Sequence, residues 1–313
     1  MQFLRQKPIP HLVFAAFAIA ALLQWVSTPV ALISGFLITQ IFGNPFDNKL
    51  QAKYVKLLLQ IAVVGLGFGM NLHNVLEVGK DGLGLTIFSI SLTLVAGIII
   101  GKALGLDRKI THLVSSGTSI CGGSAIAAVA PVIKANPNQI SVALGVVFLL
   151  NSIALIIFPP IGGWLNLTQD QFGLWSAIAI HDTSSVVGAA MEYGERALEV
   201  ATTVKLSRAL WIIPVSFLSM WMFKGGDSKA KVPRFIILFI VAILINTFLA
   251  IPSFIGDSID FLSKSILVLT IFLVGAGIDV KMIRDAGSKP ISLGVSLWLI
   301  ISLSSLGIIL FLT

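Results

Sequence analysis

Eleven apolar runs take up most of the chain, near 11–27, 29–43, 55–72, 83–104, 113–134, 139–161, 172–191, 198–223, 235–251, 262–279 and 290–312. Crossing a bilayer takes about 20 predominantly apolar residues in a helix, because no water in the hydrocarbon can bond to the backbone. Of the 313 residues 56% are hydrophobic and 11% are charged, against roughly 25% charged in a soluble domain. The mean hydropathy is +0.98. A water-soluble enzyme cannot hide that much apolar surface, and a disordered chain would be far more polar. The reading is an all-α integral membrane protein, one polytopic unit over 1–313 with ten or eleven transmembrane helices. The lower count applies if the short second run inserts only in part.

Loop signals agree. Pro29 sits at the start of a run, where a missing N–H costs little. Gly43-Asn44-Pro45, Pro159-Pro160 and Gly225-Gly226-Asp227 punctuate the connections. The first run leads straight into the second without a small-residue cleavage site, so it is read as a retained span. The single cysteine, Cys121, excludes an intrachain disulfide.

The net charge of +7 is read through the excess of Lys and Arg in cytoplasmic loops rather than as a nucleic-acid surface. With the N-terminus cytoplasmic and eleven crossings, the inside segments collect Arg5, Lys7, Lys49, Lys53, Lys56, Lys102, Arg108, Lys109, Lys224, Lys229, Lys231, Arg234, Lys281, Arg284 and Lys289. That is 15 of the 21 basic residues. The C-terminus then lies outside.

The chain also matches itself at a shift of 208 residues. Gly67-Phe68-Gly69-Met70-Asn71 overlies Gly275-Ala276-Gly277-Ile278-Asp279, and Lys56, Gly79 and Leu85 overlie Lys264, Gly287 and Leu293. The matched spans cross in opposite directions in this count, the inverted symmetry of many secondary transporters. The shift would carry residues 117–131 past the end of the chain. Their counterpart is left open between the stretch near 181–190, the Gly275 break and a partial repeat.

Three segments place polar chemistry inside apolar runs. Gly117-Thr118-Ser119-Ile120-Cys121-Gly122-Gly123-Ser124 weakens a helix, which can restart at about Ser124. The restarted half-helix would point free N–H groups and its positive dipole end into the break. Close packing through small residues is the alternative. His181-Asp182-Thr183-Ser184-Ser185 brings two ionisable groups and three hydroxyls to membrane depth, where such groups are costly and usually functional. Asp182 can cap a half-helix starting at Thr183, and His181 can carry a coupling proton. Lys205 and Arg208 share a helix face. They either pair with Asp182, Glu199 or a bound anion or snorkel to an interface. Asn151 and Ser152, in mid-span, either bridge helices, the favoured reading, or line the pathway, and Asn71 and Asp279 are read as caps beside the Gly-x-Gly breaks.

No protease, Walker A, dinucleotide or metal-ligand spacing is present in the sequence. The chain is therefore read as not an enzyme and as using no cofactor and no metal.

The segment Gly117–Pro131, the Ile180-His181-Asp182 run, Val204-Lys205-Leu206-Ser207-Arg208 with Pro214 downstream, and Val274–Asp279 together resemble the YeiH-type family of bacterial membrane proteins, named as sulfate exporters. The likeness covers about residues 30–312. Where members of that family read His-Glu-Val-Ala-Gln, this sequence reads His181-Asp182-Thr183-Ser184-Ser185. The change keeps the His and an acid and alters what lines the site. The resemblance implies kinship with the bile acid and arsenite transporter group, with inverted bundles, crossed discontinuous helices and secondary transport in the bacterial inner membrane. The last two spans also look like part of a cation/proton antiporter. The mid-membrane position that is acidic there reads Asn151-Ser152 here, which lowers a cation-exchange reading.

The expectation is a secondary transporter of a small anion, sulfate or a related oxyanion or sulfonate. Thr118, Ser119, Cys121, Gly122, Gly123 and Ser124 would hold the anion, Ser184 and Ser185 would face it, Lys205 would balance its charge, and His181 with Asp182 would couple protons. The expected partners are the anion, the lipid bilayer and, as an option, a second copy in a homodimer, with no nucleic acid. The alternatives are a Na⁺/H⁺ antiporter carrying its ion on Asp182 and a non-transporting membrane scaffold or sensor.

Overall fold

The computed structural model describes residues 8–223, 234–249, 252–278, 284 and 286–312. The loop at 225–227 and Asp279 lie outside the described residues. All regular elements among the described residues are helical: α1 (Pro8–Leu22), α2 (Thr28–Phe42), α3 (Asn48–Leu66) with a 3-10 turn at Gly67–Gly69, α4 (Leu72–Ala103), α5 (Arg108–Ser119), α6 (Gly123–Val132), α7 (Pro137–Trp164), α8 (Gln169–Ala179), α9 (Thr183–Tyr193), α10 (Glu195–Ala209), α11 (Ile212–Phe223), α12 (Arg234–Phe248), α13 (Ser253–Ala276) and α14 (Ser288–Leu312). Six described stretches, within α3, α4, α7, α10–α11, α13 and α14, are long and apolar enough to cross a membrane. α1, α2 and α12 contribute shorter apolar helices. The protein is an all-α membrane protein.

The chain forms two compact units. The first comprises residues 1–75 and 233–278 and the second residues 76–232 and 279–313.

In the first unit, helices approach closely where glycine removes the side chain. A Cβ on Gly275 would lie 2.0 Å from the Leu32 carbonyl oxygen on α2, and one on Gly67 would lie 3.0 Å from the Phe239 carbonyl oxygen on α12. Each Gly-x-Gly break frees carbonyls that need partners. Side-chain amides supply them. Asn246 Nδ2 donates to the Met70 carbonyl at 3.1 Å, and Gln40 Nε2 to the Ile278 carbonyl at 3.4 Å. Gln51 Nε2 adds a 2.6 Å bond to the Leu273 carbonyl.

In the second unit, two runs that the sequence reads as crossings fold back on themselves. A straight helix from residue 109 to 134 would separate its ends by about 37 Å. Instead Lys109 Nζ donates to the Lys134 carbonyl at 2.7 Å, so α5 and α6 form a helical hairpin. Gly117 permits it, because a Cβ there would stand 2.9 Å from Ile126 Cδ1. The tip closes with the Gly122 amide on the Gly117 carbonyl at 2.9 Å and Gly122 at φ +65°.

The run at 172–191 does the same. The Tyr193 hydroxyl at the far end of α9 donates to the Leu167 carbonyl ahead of α8 at 2.6 Å. The rings of Phe172 and Tyr193 stack at 3.8 Å, and the Arg196 amide donates to Gln169 Oε1 at 2.9 Å. Neither run 113–134 nor run 172–191 is a crossing. The sequence predicts a break in both, and in each the break is a reversal.

The helix α7 relates the two hairpins. Its 28 residues make a rod of about 42 Å, with one hairpin opening just before it and the other just after. Each hairpin arm has 10 to 12 residues, about 15–18 Å, so two hairpins entering from opposite ends of α7 meet near its middle. Val147 and Asn151 of α7 touch the tips there: a Cβ on Gly122 would lie 3.2 Å from Val147 Cγ1, and Asn151 Oδ1 accepts the His181 amide at 3.0 Å. Behind the tips, Trp175 stacks on Phe158 at 4.3 Å and donates its Nε1 proton to the Ser302 carbonyl at 3.0 Å.

Candidate functional site at the hairpin tips

The tips touch. A Cβ on Gly122 would stand 3.5 Å from both Cα and Cβ of Asp182. Reversal at each tip leaves four half-helix ends at one depth. The C-terminal ends of α5 and α8 carry unpaired carbonyls, and the N-terminal ends of α6 and α9 carry unpaired amides. Each end is equivalent to about half a charge, and in a buried break none can be left to water.

Two cations on α10 serve the carbonyl ends. Arg208 Nε donates to the Ser119 carbonyl at 2.8 Å and Nη1 to the Ile178 carbonyl at 2.9 Å, so one guanidinium ties the two hairpins together. Lys205 Nζ donates to the Ile180 carbonyl at 2.6 Å and the Ala177 carbonyl at 3.2 Å. Lys205 and Arg208 are both fully buried, so neither snorkels to an interface. The i, i+3 spacing on α10 lets both reach the same layer.

The amide ends are treated differently. Asp182 is the N-cap of α9, with Oδ2 accepting the Ser185 amide at 3.2 Å, the Ser185 hydroxyl at 3.3 Å and the Ser184 hydroxyl. Asn151 Oδ1 holds the reversal from behind, taking the His181 and Asp182 amides at 3.0 and 3.2 Å. That is the bridging place its mid-span position suggested. The α6 end has no acidic cap. Gly122 precedes it without a side-chain bond.

The sequence-derived residues fall into three groups. Gly122, Asp182, His181 and Lys205 sit at the tips. Thr118, Ser119 and Cys121 lie beside them, fully or almost fully buried, while Gly123 is half-buried and Ser124 is exposed. Ser184 and Ser185 are there too, but their hydroxyls are turned on Asp182. Lys205 is directed at two carbonyls rather than into open space. Outside the site, Asn71 Oδ1 takes the His73 amide at 2.8 Å, a cap at the start of α4.

Several buried groups at this depth have no hydrogen-bond partner among the described residues: Arg208 Nη2, Asn151 Nδ2, Thr118 Oγ1 and both ring nitrogens of His181. Arg208 and Asn151 can only donate through those atoms. Buried polar groups in native proteins are normally paired, and each exception calls for an explanation. Sequence reasoning noted Arg208 and Asn151 but did not place them in the site. A second self-match would have brought them in. Sixty residues separate Ile120 from Ile180, Ser124 from Ser184 and Ala130 from Ala190, and that shift lays the first hairpin and α7 over the second hairpin and α10–α11.

Comparison with known proteins gives the family. Residues 12–294 match the family described as Conserved hypothetical protein 698. The chain is 50% identical to a UPF0324 membrane protein of Bacteroides thetaiotaomicron over 292 residues, covering 92% of this chain and 87% of the relative. It is 48% identical to one of Shewanella oneidensis over 305 residues, covering 96% of each. A UPF0324 membrane protein of Porphyromonas gingivalis is 50% identical over 293 residues, covering 92% of this chain and 88% of the relative. No solved structure matches. The YeiH-type resemblance is consistent with these matches, and the chain belongs to the Conserved hypothetical protein 698 family, with the UPF0324 membrane proteins of bacteria as its relatives.

Proposed function

We propose that the protein is a secondary transporter of a small anion, sulfate or a related oxyanion or sulfonate, held where the hairpin tips meet. The observation that carries this reading is the set of unpartnered buried donors there. Arg208 Nη2, Asn151 Nδ2, Thr118 Oγ1 and the His181 ring lack acceptors, and an oxyanion supplies acceptors and brings no competing donors. The fixed charge agrees. The half-helix ends cancel in pairs, while Lys205 and Arg208 stand against Asp182 alone, leaving about one positive charge. The exposed Ser124 hydroxyl extends the donor surface. In this reading Lys205 contributes its charge from behind the tip, and His181 with Asp182 moves the coupling proton.

Alternating access would follow from an inverted repeat. Paired contacts support it. Gly67 against Phe239 corresponds to Gly275 against Leu32, and Asn246 on Met70 corresponds to Gln40 on Ile278. With two runs folded back, nine crossings remain, and the N-terminus stays cytoplasmic. Lys134 then joins the inside set, which strengthens the charge bias. The setting is the bacterial inner membrane, with alternating access and no catalytic step.

The test is solid-supported membrane electrophysiology and tracer counterflow on protein in liposomes. The panel is sulfate, sulfite, thiosulfate, taurine, small carboxylates, Na⁺ and K⁺, with and without a pH gradient. Anion-specific flux that falls at least about tenfold in Asn151→Ala and His181→Ala, equivalent to about 1.4 kcal/mol, is the expected result. Flux that follows Na⁺ or pH alone and vanishes in Asp182→Asn would replace this reading with an antiporter. Silence in both assays, with a co-purifying protein, would replace it with a scaffold.

A further inference from the structure

The carbonyl end of the second hairpin has the form of a cation site, and it is filled. Ile180 leaves the helix in extended conformation, so its carbonyl and that of Ala177 converge on one point. Lys205 Nζ occupies that point at 2.6 and 3.2 Å. Ile180, Ala177 and Lys205 are all fully buried. Unwound carbonyls and half-helix C-terminal ends are where secondary transporters coordinate a soluble coupling cation. The corresponding end of the first hairpin, the Ser119 carbonyl, is held by Arg208.

We propose that the Lys205 ammonium is a tethered substitute for a coupling cation, so that this hairpin site takes no Na⁺ while Lys205 is present and becomes a site for a small monovalent cation when the side chain is cut back. The inference rests on the transporter reading only for its meaning, that substrate movement does not require Na⁺. The site itself is defined by geometry. An ammonium is a compact point charge with three donors. Ammonium or methylammonium therefore reproduces its bonding to the two carbonyls, and Na⁺ is coordinated by the same two oxygens. Arg208 lies one turn further along α10, and Asp182 and the neutral Cys121 thiol are the other ionisable groups near Lys205. An incoming cation therefore meets one positive neighbour and one acidic neighbour.

The experiment uses full-length protein in lipid nanodiscs, with thermal unfolding followed by tryptophan fluorescence and no anion substrate added. Choline, Na⁺, ammonium and methylammonium chlorides are compared at equal ionic strength for wild type, Lys205→Ala and Lys205→Met. Wild type is expected to melt at the same temperature in all four salts. Lys205→Ala is expected to melt lower in choline and to regain several degrees as methylammonium, ammonium or Na⁺ is added, saturating with concentration as binding to the folded state requires. Lys205→Met fills the space with an apolar chain and is expected not to respond. A Lys205→Ala protein indifferent to every cation, or a wild type stabilised by Na⁺ over choline, would overturn the proposal. If Lys205→Ala does not fold, the wild-type comparison still decides it. Because chloride is common to all four salts and no oxyanion or sulfonate is added, failure of the anion-transport reading leaves these outcomes unchanged.

Discussion

The two hairpin tips reach the same shape by different chemistry. The first, Ser119-Ile120-Cys121-Gly122-Gly123-Ser124, turns on backbone freedom: Gly122 takes φ +65°, and no carboxylate caps the helix that follows. The second, Ala179-Ile180-His181-Asp182-Thr183-Ser184, contains no glycine. It turns in extended conformation, held by the Asp182 cap on Ser185 and by Asn151 on the two tip amides. The first tip therefore carries no carboxylate on its N-terminal amides and has the Cys121 sulfur against the Ala125 amide, while the second fills its amides with a carboxylate. Equivalent positions, sixty residues apart, thus turn by a conformational device in one tip and an electrostatic one in the other.

The largest effect expected concerns the shape they share. If both runs are hairpins, the two ends of each lie on one face of the membrane, and the two pairs lie on opposite faces. Single cysteines at Lys109 and Lys134, in a Cys121→Ala background, should both react with an impermeant maleimide from the same side. One at Glu195 should react only from the other. Labelling of positions 109 and 134 from opposite sides would restore a crossing helix and undo the comparison.

How much of this the sequence disclosed follows from which forces act locally. The weakening at Gly117–Ser124, the restart within a residue of Ser124, and Asp182 as cap of a helix starting at Thr183 were all legible. They depend on backbone freedom and on bonds spanning three residues. The reversal was not. About 22 apolar residues serve a span or a hairpin equally well, and the choice is made by contacts such as Lys109 with the Lys134 carbonyl and Tyr193 with the Leu167 carbonyl. The partners of Lys205 were hidden for the same reason. Its carbonyls lie 25 and 28 residues away, and carbonyls leave no mark in a sequence. The 208-residue shift was visible through Gly-x-Gly. The 60-residue shift was obscured because one tip turns on glycine and the other on a carboxylate.

The next effect concerns the tie between the tips. Arg208 bonds one carbonyl from each hairpin, so Arg208→Met leaves two buried acceptors unpaired. A buried unsatisfied group costs about 1–3 kcal/mol, and the variant should lose about 3 kcal/mol, measured as a lower unfolding temperature in nanodiscs. It should also speed hydrogen exchange at both tips. Exchange that rises at only one tip would mean that the guanidinium does not couple them.

The smallest effects separate the two turning devices. Gly122→Ala puts a side chain at a backbone conformation that L-residues rarely adopt, with its Cβ 3.2 Å from Val147 Cγ1, and should cost about 1–3 kcal/mol. Asp182→Ala removes a cap, at about 1 kcal/mol. Asp182→Asn should cost only a few tenths of that, because Asn ranks with Asp as an N-cap and its amide oxygen can take the Ser185 bonds. The melting temperature should therefore be highest for Asp182→Asn, lower for Asp182→Ala and lowest for Gly122→Ala. Asp182→Asn is the informative one for function, since it keeps the turn and removes the only carboxylate placed at the tips among the described residues. If it melts like wild type yet changes the pH dependence of flux, the carboxylate acts through its charge. If it melts as low as Asp182→Ala, the second tip depends on ionised Asp182 for its fold, and the division between a conformational tip and an electrostatic one becomes sharper than the hydrogen bonds alone require.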